Sequence, residues 1–459
     1  MEKKDLAYMF RAYDIRGIYN QELTPETVVE IGMAAANHLD MIYPNQDLQM
    51  AVGGDIRHSS IPLTQALMSG LLSAGVDVTY VGIVPFGVCL FSGWKLKKNA
   101  IGFVTASHLP SEWNGVKFYY GDGVGFSESD NMAIRNIFLK SDYHRSNWNE
   151  IGTLDSVSLR NDYIEHLRKQ IHLERPIKVV VDCGNAAAGL IAPNLMEAIG
   201  FDVFPLFAEI DHSFPNRPAE PEAKNVTVLC DTIKKEKADF GVAFDGDADR
   251  ALIVDDKGNP LSPEESAIII GNQMLQNKRG TILGNVECSL ALEKVLGDRA
   301  NISRIPVGHT FLTLEARERG DVILGVESSG HMVFPEYFLF DDAMLIPLKM
   351  GEVLSQLSDP LSNLRNIIPR FERKRLGFDC SDATKFKVIE NLTKQLEQKY
   401  EVNTIDGIRV AFDDGWILMR ASNTSPMIRL TIEANSPQRL QELEIKFSRY
   451  LKDGIKKAK

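Results

Sequence analysis

Short apolar runs and helical spacings alternate along the chain in a repeating order. A strand-like run, a turn, a helical spacing and a second strand start recur three times, over residues 50–78, 177–203 and 280–302. This order is the βαβ signature, and it predicts mostly parallel sheets with helices on their faces. The spacing between the units is irregular, which indicates related domains rather than a solenoid.

The last part of the chain has a different pattern. Helical spacings at 386–400 and 438–451 flank three strand-like runs, at 408–412, 416–419 and 428–433. Strands clustered between two helices predict a small α+β domain. Breaks in the pattern predict linkers near residues 147–152, 255–263 and 369–374. A length of 459 residues alone favours about three domains, within a range of two to four.

Composition is that of a soluble globular protein with an acidic balance of charge. The chain is 44% hydrophobic and 25% charged, with a net charge of -11 and a pI near 5.4. This charge argues against nucleic acid or an anionic membrane as a partner. The N-terminal ten residues lack the apolar core of a signal peptide, and no stretch is apolar enough to predict a membrane span.

Cysteine usage indicates a reducing compartment. The five cysteines are odd in number and widely separated, and no CxxC pair occurs. Neither a disulfide framework nor a zinc site is therefore predicted, and we expect a cytoplasmic protein.

The segment DGDADR (245–250) carries three carboxylates at alternate positions after the apolar run 238–244. Extended backbone would place Asp245, Asp247 and Asp249 on one side of the chain. Three anions that close repel, so a bound cation is expected, and oxygen ligands favour Mg²⁺, Mn²⁺ or Ca²⁺. The adjacent Arg250 favours phosphate chemistry, because an ion and a guanidinium both neutralise phosphoryl oxygens.

The segment also has two other interpretations, an EF-hand loop and a solvated turn. An EF-hand loop needs Gly at its sixth position and Glu at its twelfth, where this chain has Arg250 and Asp256. An acidic, solvated turn without a ligand stays open from this segment alone.

A second motif, TASH (105–108), follows the apolar strand 100–104. Ser107 is therefore expected at a strand end, where doubly wound sheets place their chemistry, and it could act as a nucleophile. The G-x-S-x-G elbow is absent here, so a hydrolase triad with His108 has little support. A plain turn remains the alternative.

Two further segments contain binding groups. RASNTSP (420–426), followed by Arg429, combines guanidinium, hydroxyl and amide donors that suit a phosphate. Glu327, at the start of ESSGH (327–331), suits a polyol whose hydroxyls donate to a carboxylate. Either segment alone could also be a structural turn.

Taken together, these segments resemble the α-D-phosphohexomutase family, most closely its phosphomannomutase/phosphoglucomutase enzymes. The resemblance runs from Phe10 to about Glu433. The matching motifs, in family order, are FRAYDIRG (10–17), TASH (105–108), DGDADR (245–250), ESSGH (327–331) and RASNT (420–424).

The resemblance implies three related mixed-sheet α/β domains with helices on both faces and a smaller C-terminal α+β domain, around a central cleft. The expected domains are residues 1–152 with the phosphoserine loop, 153–256 with the metal loop, 257–370 with the sugar-binding loop and 371–459 with the phosphate-binding loop.

It also implies the roles of individual residues. Ser107 would be the phosphoserine, and its phosphate would join Asp245, Asp247 and Asp249 in holding one Mg²⁺ per chain. Glu327 and Ser329 would hold sugar hydroxyls, and the non-reacting phosphate would be gripped by Arg420, Ser422, Asn423 and Thr424. The expected catalytic set is Ser107, Lys117, Arg250, His309, His331 and Arg16. The expected substrate contacts also include Tyr13, His108, Gly308 and Arg429.

The implied reaction interconverts hexose 1-phosphate and hexose 6-phosphate, of mannose or glucose, through a hexose 1,6-bisphosphate that also serves as activator. The proton carrier is left open between Lys117 and a histidine. Small hexose phosphates are the expected partners, and we expect a monomer or a dimer.

Three alternatives are kept for the activity: a phosphoglucosamine mutase, a catalytically weak sugar-phosphate binding protein and a net phosphatase. The binding protein is motivated by departures from the family pattern in the active loops, at Leu109 and Val326. Other departures are Gly54, Ala248 and Ser425.

Overall fold

Each predicted strand–helix–strand unit forms a parallel strand pair in its own sheet. A computed structural model describes residues 3–422 and 426–458. In the first unit, β2 (Gln49–Gly54) pairs in parallel with β3 (Asp77–Ile83). The second and third units repeat this pairing. The predicted βαβ units are therefore confirmed.

The first domain has a six-stranded mixed sheet. Its other strands are β1 (Ile15–Ile18), β4 (Ala100–Val104), β5 (Trp113–Tyr120) and β6 (Leu154–Ser156), and its helices are α1 (Pro25–Ile42), α2 (Ser60–Ser73), α3 (Phe86–Lys95) and α4 (Glu128–Lys140). The strand order is β1-β5-β4-β2-β3-β6. β6 pairs with β3, so this sheet includes strand residues beyond the expected boundary at residue 152.

The second and third domains each have a four-stranded sheet with one antiparallel edge strand, in the orders β10-β9-β7-β8 and β12-β11-β13-β14. The second contains α5 (Arg160–Arg168), β7 (Lys178–Asp182), α6 (Ala192–Ile199), β8 (Asp202–Leu206), α7 (Thr227–Glu236), β9 (Phe240–Phe244) and β10 (Ala251–Asp255). The third contains α8 (Pro263–Met274), β11 (Thr281–Asn285), α9 (Ala291–Leu296), β12 (Asn301–Ile305), α10 (His309–Arg319), β13 (Val322–Val326), β14 (Met332–Val333), α11 (Leu345–Gln356) and α12 (Leu361–Asn366).

The C-terminal domain is an antiparallel five-stranded sheet with two helices, as its pattern predicts. Its elements are β15 (Glu372–Asp379), α13 (Lys385–Leu396), β16 (Val402–Asn403), β17 (Ile408–Phe412), β18 (Gly415–Ala421), β19 (Met427–Ala434) and α14 (Pro437–Ala458). The linker predicted at 369–374 is partly wrong, because β15 begins at Glu372. β15 is an edge strand whose side chains are exposed or half-buried throughout. Only Leu376 and Phe378 pack against the core, so its apolar alternation is short.

One continuous apolar core joins the first three domains. It contains Phe91 from α3, Tyr163 from α5 and Phe340 from the third domain, and Tyr163 Oη donates to Asp342 Oδ2 at 2.6 Å. This shared core fixes the strand ends of the three sheets relative to one another. Within the described part of the chain, no helix is both long and apolar enough to cross a membrane.

Candidate active site

The predicted site residues lie in loops that follow the carboxyl ends of sheet strands. Ser107 follows β4, Asp245 follows β9, His309 follows β12 and Glu327 follows β13. Binding sites of open α/β sheets form at these ends. The fold therefore brings loops from three domains toward one another.

The serine loop contacts the acidic loop directly. Ser107 Oγ donates to Asp245 Oδ2 at 2.9 Å and lies 3.5 Å from Asp249 Oδ1. Ser107 has a left-handed backbone, with φ of 49°, and its N–H donates to Thr105 Oγ1 at 2.9 Å. A strained conformation held by its neighbours is common at functional sites.

A buried arginine holds this loop in place. The Arg57 guanidinium donates to four backbone carbonyl oxygens, those of Ser107, Leu109, Pro110 and Trp113, at 2.6–3.2 Å. Its Nε donates to Asp55 Oδ2 at 3.0 Å, and the side chain is 1% exposed. Asp55 also accepts from Thr105 Oγ1 at 2.8 Å. Sequence reasoning missed both residues, although they follow the end of β2 as Ser107 follows the end of β4.

The acidic loop is a turn, so the extended backbone expected for 245–249 is wrong. The backbone N–H groups of Asp249 and Arg250 donate to Asp245 Oδ1 at 3.1 and 3.2 Å, and Ala248 is left-handed with φ of 63°. The turn still gathers the three carboxylates, whose ligand oxygens lie within 4.8 Å of one another. Asp245 thus organises its own loop by accepting backbone N–H groups.

Gly246 permits the close approach of the two loops. A Cβ at this position would lie 2.3 Å from the carbonyl oxygen of Ser107. Any side chain there would push the serine loop away from the carboxylates.

The acidic loop meets the requirements of a divalent cation. Burial, and then the neighbouring carboxylates, raise the pKa of Asp245 and of Asp247. Asp247 Oδ1 is buried and has no hydrogen-bond partner among the described residues. A bound cation would give this oxygen a partner and relieve the repulsion, and an all-oxygen donor set suits Mg²⁺ or Mn²⁺.

Lys117 provides the direct counter-charge to the acidic loop. Its Nζ donates to Asp249 Oδ2 at 2.8 Å and lies 3.8 Å from Asp247 Oδ2. Burial disfavours charge on both partners, yet Lys117, His331 and Arg250 hold the pKa of Asp249 well below its usual range. Asp249 is therefore ionised within the cluster.

His108 and Arg16 lie beside these groups. Arg250 donates to His108 Nδ1, which is 3.3 Å from Ser107 Oγ. Burial, and then the charge of Arg250, lower the pKa of His108 to about 2, so this ring is neutral. Arg16 pairs with Asp14 at 2.6 Å, and its charge adds to burial and to the charge of Arg250 in lowering the pKa of His108.

The third domain contributes two stacked histidines. The rings of His309 and His331 are 4.8 Å apart and inclined by 18°. His331 Nδ1 lies 2.6 Å from Asp341 Oδ2, a partner that sequence reasoning missed. Its only sequence signal is an Asp341-Asp342 pair in an otherwise apolar stretch.

Glu327 is partly engaged by the protein. Its Oε1 accepts from Gly308 N–H at 2.9 Å and from Asn285 Nδ2 at 3.1 Å. Val326, the departure next to it, lies in the apolar core. The two hydrogen bonds orient one oxygen of the Glu327 carboxylate.

A cavity of about 600 Å³ opens between the second, third and C-terminal domains, and its lining includes Arg250, Glu327, Ser329, Gly330 and Arg375. This volume is typical of small-molecule sites. Arg375 lies on β15 and pairs with Glu287 at 2.9 Å. Sequence reasoning missed Arg375, which lies directly after the linker predicted at 369–374.

Two arginines of the C-terminal domain face a smaller cavity. Arg420 and Arg429 are cross-strand partners on β18 and β19, and with Ser422 they line a cavity of about 190 Å³. Arg420 pairs with Asp406 Oδ1 at 3.1 Å, and Asp406 Oδ2 accepts from Val307 N–H at 3.0 Å. Asp406 thus joins this domain to the histidine loop. Asn423, Thr424 and Ser425 lie outside the described residues.

Tyr13 links the N-terminal motif to this region. A Cβ at Gly308, whose φ is 142°, would lie 2.8 Å from the Tyr13 ring, and that ring packs edge-on against Phe311. The structure therefore brings the described candidate residues of the first three domains into one connected region, and Asp406 connects the phosphate-binding candidates to it.

Comparison with known proteins gives one consistent result. Family models for domains I, II and III and the C-terminal domain of phosphoglucomutase/phosphomannomutase match residues 7–145, 161–258, 262–371 and 379–449. A phosphoglucomutase/phosphomannomutase of Thermococcus kodakarensis is 33% identical, over 98% of each chain. This chain belongs to the α-D-phosphohexomutase family.

Other members of this family resemble the chain to a similar degree. A probable phosphoglucosamine mutase of Methanothermobacter thermautotrophicus is 32% identical, over 97% of this chain and 98% of that protein. A phosphoglucomutase/phosphomannomutase family protein of Burkholderia thailandensis, solved by crystallography, superimposes with a TM-score of 0.89 at 30% identity, over 98% of each chain. The expected fold, with its three α/β domains and C-terminal α+β domain, is thereby confirmed.

Proposed function

We propose that this phosphohexomutase interconverts hexose 1-phosphate and hexose 6-phosphate by passing a phosphoryl group to and from Ser107. The observation that carries this proposal is the hydrogen bond from Ser107 Oγ to Asp245, within a buried group of three carboxylates. A hydroxyl in such a position can exchange a phosphoryl group where a cation and basic side chains neutralise the charge.

In this proposal, Asp245, Asp247 and Asp249, with Ser107 or its phosphate, hold one divalent cation, preferably Mg²⁺. The orphaned oxygen of Asp247 and the raised pKa of two of the carboxylates support this assignment. When bound, the ion supplies neutralisation of phosphoryl charge. Arg250 and Arg16 add fixed positive charge on the protein side.

Each half-reaction moves one phosphoryl group. The bond from phosphorus to Ser107 Oγ breaks, a bond from phosphorus to a sugar oxygen forms, and the proton of the sugar hydroxyl passes to a base. The product is a hexose 1,6-bisphosphate. This intermediate reorients within the cleft, so that its other phosphate faces Ser107 and is returned to it. Lys117, His309 and His331 are the candidates for the proton carrier.

Binding is divided between the two halves of the cleft. Glu327 and Ser329 would accept and donate hydrogen bonds to sugar hydroxyls, with Tyr13, His108 and Gly308 at the same end. The non-reacting phosphate would be held by Arg420, Ser422, Asn423, Thr424 and Arg429. The pair of arginines facing a cavity of about 190 Å³ supports this assignment.

Two substrate classes are carried forward. We favour mannose and glucose phosphates, in keeping with relatives such as the phosphomannomutase/phosphoglucomutase of Pseudomonas aeruginosa, 33% identical over 97% of this chain and 96% of that protein. The second candidate is glucosamine phosphate, favoured by the name of the similar Methanothermobacter protein.

A panel of mannose, glucose and glucosamine 1-phosphates, with Mg²⁺ and a trace of hexose 1,6-bisphosphate, tests this function. We expect isomerisation of mannose 1-phosphate and glucose 1-phosphate. This activity should be lost in Ser107→Ala and kept in Ser69→Ala, a change at an exposed serine. Preference for glucosamine phosphate would overturn the substrate assignment. Binding without isomerisation would favour the binding protein, and steady release of free phosphate would favour a phosphatase.

We also propose a cytoplasmic location. All five cysteines are free, and four of them are buried, which suits a compartment that keeps thiols reduced.

A further inference from the structure

Three possible metal ligands converge in the third domain, apart from the acidic loop. His331 Nδ1 and His309 Nδ1 lie 2.6 and 3.4 Å from the same oxygen, Asp341 Oδ2. One ligand atom from each residue lies within 4.8 Å of the others. The two rings are stacked 4.8 Å apart, so both imidazoles are directed toward one carboxylate.

Two ligand atoms of this group have no hydrogen-bond partner among the described residues. They are His309 Nδ1 and Asp341 Oδ1, and Asp341 is fully buried. Buried polar atoms of proteins almost always have a partner. A fully buried carboxylate oxygen without a donor, beside an imidazole nitrogen whose contact with the same carboxylate is 3.4 Å long, indicates a ligand that accepts electron pairs from both.

The three residues are held by packed elements of one domain. His309 is the first residue of α10, His331 precedes β14, and the backbone of Asp341 forms a bridge with Val333 of β14. Packed elements therefore hold the three backbones, and the ligand atoms already lie within 4.8 Å of one another.

The charge around the group favours a cation. Asp341 is fully buried, and Nδ1 of each imidazole lies within 3.4 Å of its Oδ2. The negative charge of this buried carboxylate would attract a divalent ion.

We propose that His309, His331 and Asp341 form a second metal site, which takes a borderline ion such as Zn²⁺, Ni²⁺ or Co²⁺ and inhibits the enzyme when filled. Two imidazoles and one carboxylate suit such ions, and three protein ligands leave a fourth position open. The acidic loop, with oxygen ligands only, keeps its preference for Mg²⁺. Inhibition follows because both histidines are candidates for substrate contact and proton transfer.

Co²⁺ titration of the whole protein, in excess Mg²⁺, tests the binding step without any assay of activity. We expect one Co²⁺ per chain with the visible absorption of a site containing nitrogen ligands. His309→Gln should weaken binding by at least about tenfold, and its side chain is 13% exposed, so the fold should tolerate the change. Asp341→Asn, of nearly equal shape, provides a second variant, and Zn²⁺ should displace Co²⁺ from the wild-type protein.

Asp247→Asn, which alters the acidic loop alone, is the matched control and should leave the Co²⁺ absorption unchanged. Loss of the absorption in Asp247→Asn, together with its persistence in His309→Gln, would overturn the proposal. So would inhibition by Zn²⁺ that added Mg²⁺ relieves in proportion, because that result assigns Zn²⁺ to the acidic loop. A protein that binds Co²⁺ as expected but isomerises no sugar would refute the proposed function and leave this site standing.

Discussion

Replacing Arg57 by methionine removes five hydrogen bonds at once: those to the carbonyl oxygens of Ser107, Leu109, Pro110 and Trp113 and the one to Asp55. The ion pair with Asp55 is almost fully buried, and loss of one partner of such a pair costs about 3–5 kcal/mol. Each carbonyl left without a donor adds to this, at about 1 kcal/mol. Since these losses overlap, we expect the free energy of unfolding to fall by about 4 kcal/mol.

Urea unfolding gives the stability, and steady-state kinetics gives the effect on the serine loop. We expect kcat of Arg57→Met to fall at least about tenfold, with a smaller change in KM, because misplacement of a reacting group by about 1 Å can cost a hundredfold. Asp55→Asn combined with Arg57→Met should be less destabilised than the sum of the two changes, since the unpaired charge is gone.

Arg168→Met is the matched control. Arg168 pairs with Glu165 at 2.8 Å, but the two side chains are 48% and 50% exposed, so its loss should change the free energy of unfolding far less than the loss of Arg57 does. If Arg57→Met proved as mild as Arg168→Met, or lost stability with kcat unchanged, the role assigned to Arg57 in positioning Ser107 would be wrong.

Three further predictions follow from other parts of the structure. Burial raises the pKa of Asp342 from 3.8 to about 6, so the contribution of this carboxyl to stability is present below about pH 4 and is lost as the pH rises through 6. In urea unfolding, the free energy of unfolding of Asp342→Asn should therefore increase by about 1–2 kcal/mol relative to the wild type between pH 5 and 8. A difference that stayed constant over this pH range would contradict the prediction. Gly87→Ala should lower the free energy of unfolding by about 1–3 kcal/mol, because its Cβ would lie 2.5 Å from Asp342 Oδ1. The Cβ of the control variant Gly271→Ala would meet only side-chain methyl groups at 3.3 Å or more, so this change should be close to neutral in the same unfolding assay. Chelation of divalent ions should abolish isomerisation, and activity that persisted at full rate in chelator would refute the metal assignment. Asp247→Asn should raise the Mg²⁺ concentration needed for half-maximal activity by at least about tenfold, which corresponds to about 1.4 kcal/mol of binding free energy.

The elements that could be predicted from the sequence are those whose pattern of apolar residues follows directly from local strand or helix geometry. β2, α2 and β3 were predicted because strands in a covered sheet are continuously apolar and helices repeat at 3.6 residues. The position of Ser107 was predicted for a related reason, since a polar residue directly after a buried strand lies at a sheet edge.

Features that depend on distant contacts were not predictable in this way. Arg57 is recognisable as a loop anchor only once the chain brings Leu109 and Trp113 to it, about fifty residues along the sequence. Asp341 and Asp406 likewise act through partners in other loops. β15 was missed because this edge strand begins with four charged residues, and its apolar alternation is limited to Leu376 and Phe378.

The acidic loop shows how a local rule can fail while its consequence holds. Alternate spacing was expected to gather the carboxylates on extended backbone, but the left-handed Ala248 turns the chain. The carboxylates meet because Asp245 accepts the N–H groups of Asp249 and Arg250. The spacing pointed to three carboxylates that do lie together, and the turn determines their geometry.

Phosphoryl transfer to Ser107 is the central claim, and mass spectrometry of the intact chain tests it most directly. After incubation with hexose 1,6-bisphosphate and Mg²⁺, the wild-type protein should gain one phosphoryl group, which fragmentation assigns to Ser107 and which added hexose monophosphate removes. An unmodified chain that nevertheless isomerises hexose phosphates, or a phosphoryl group retained in Ser107→Ala, would contradict the account.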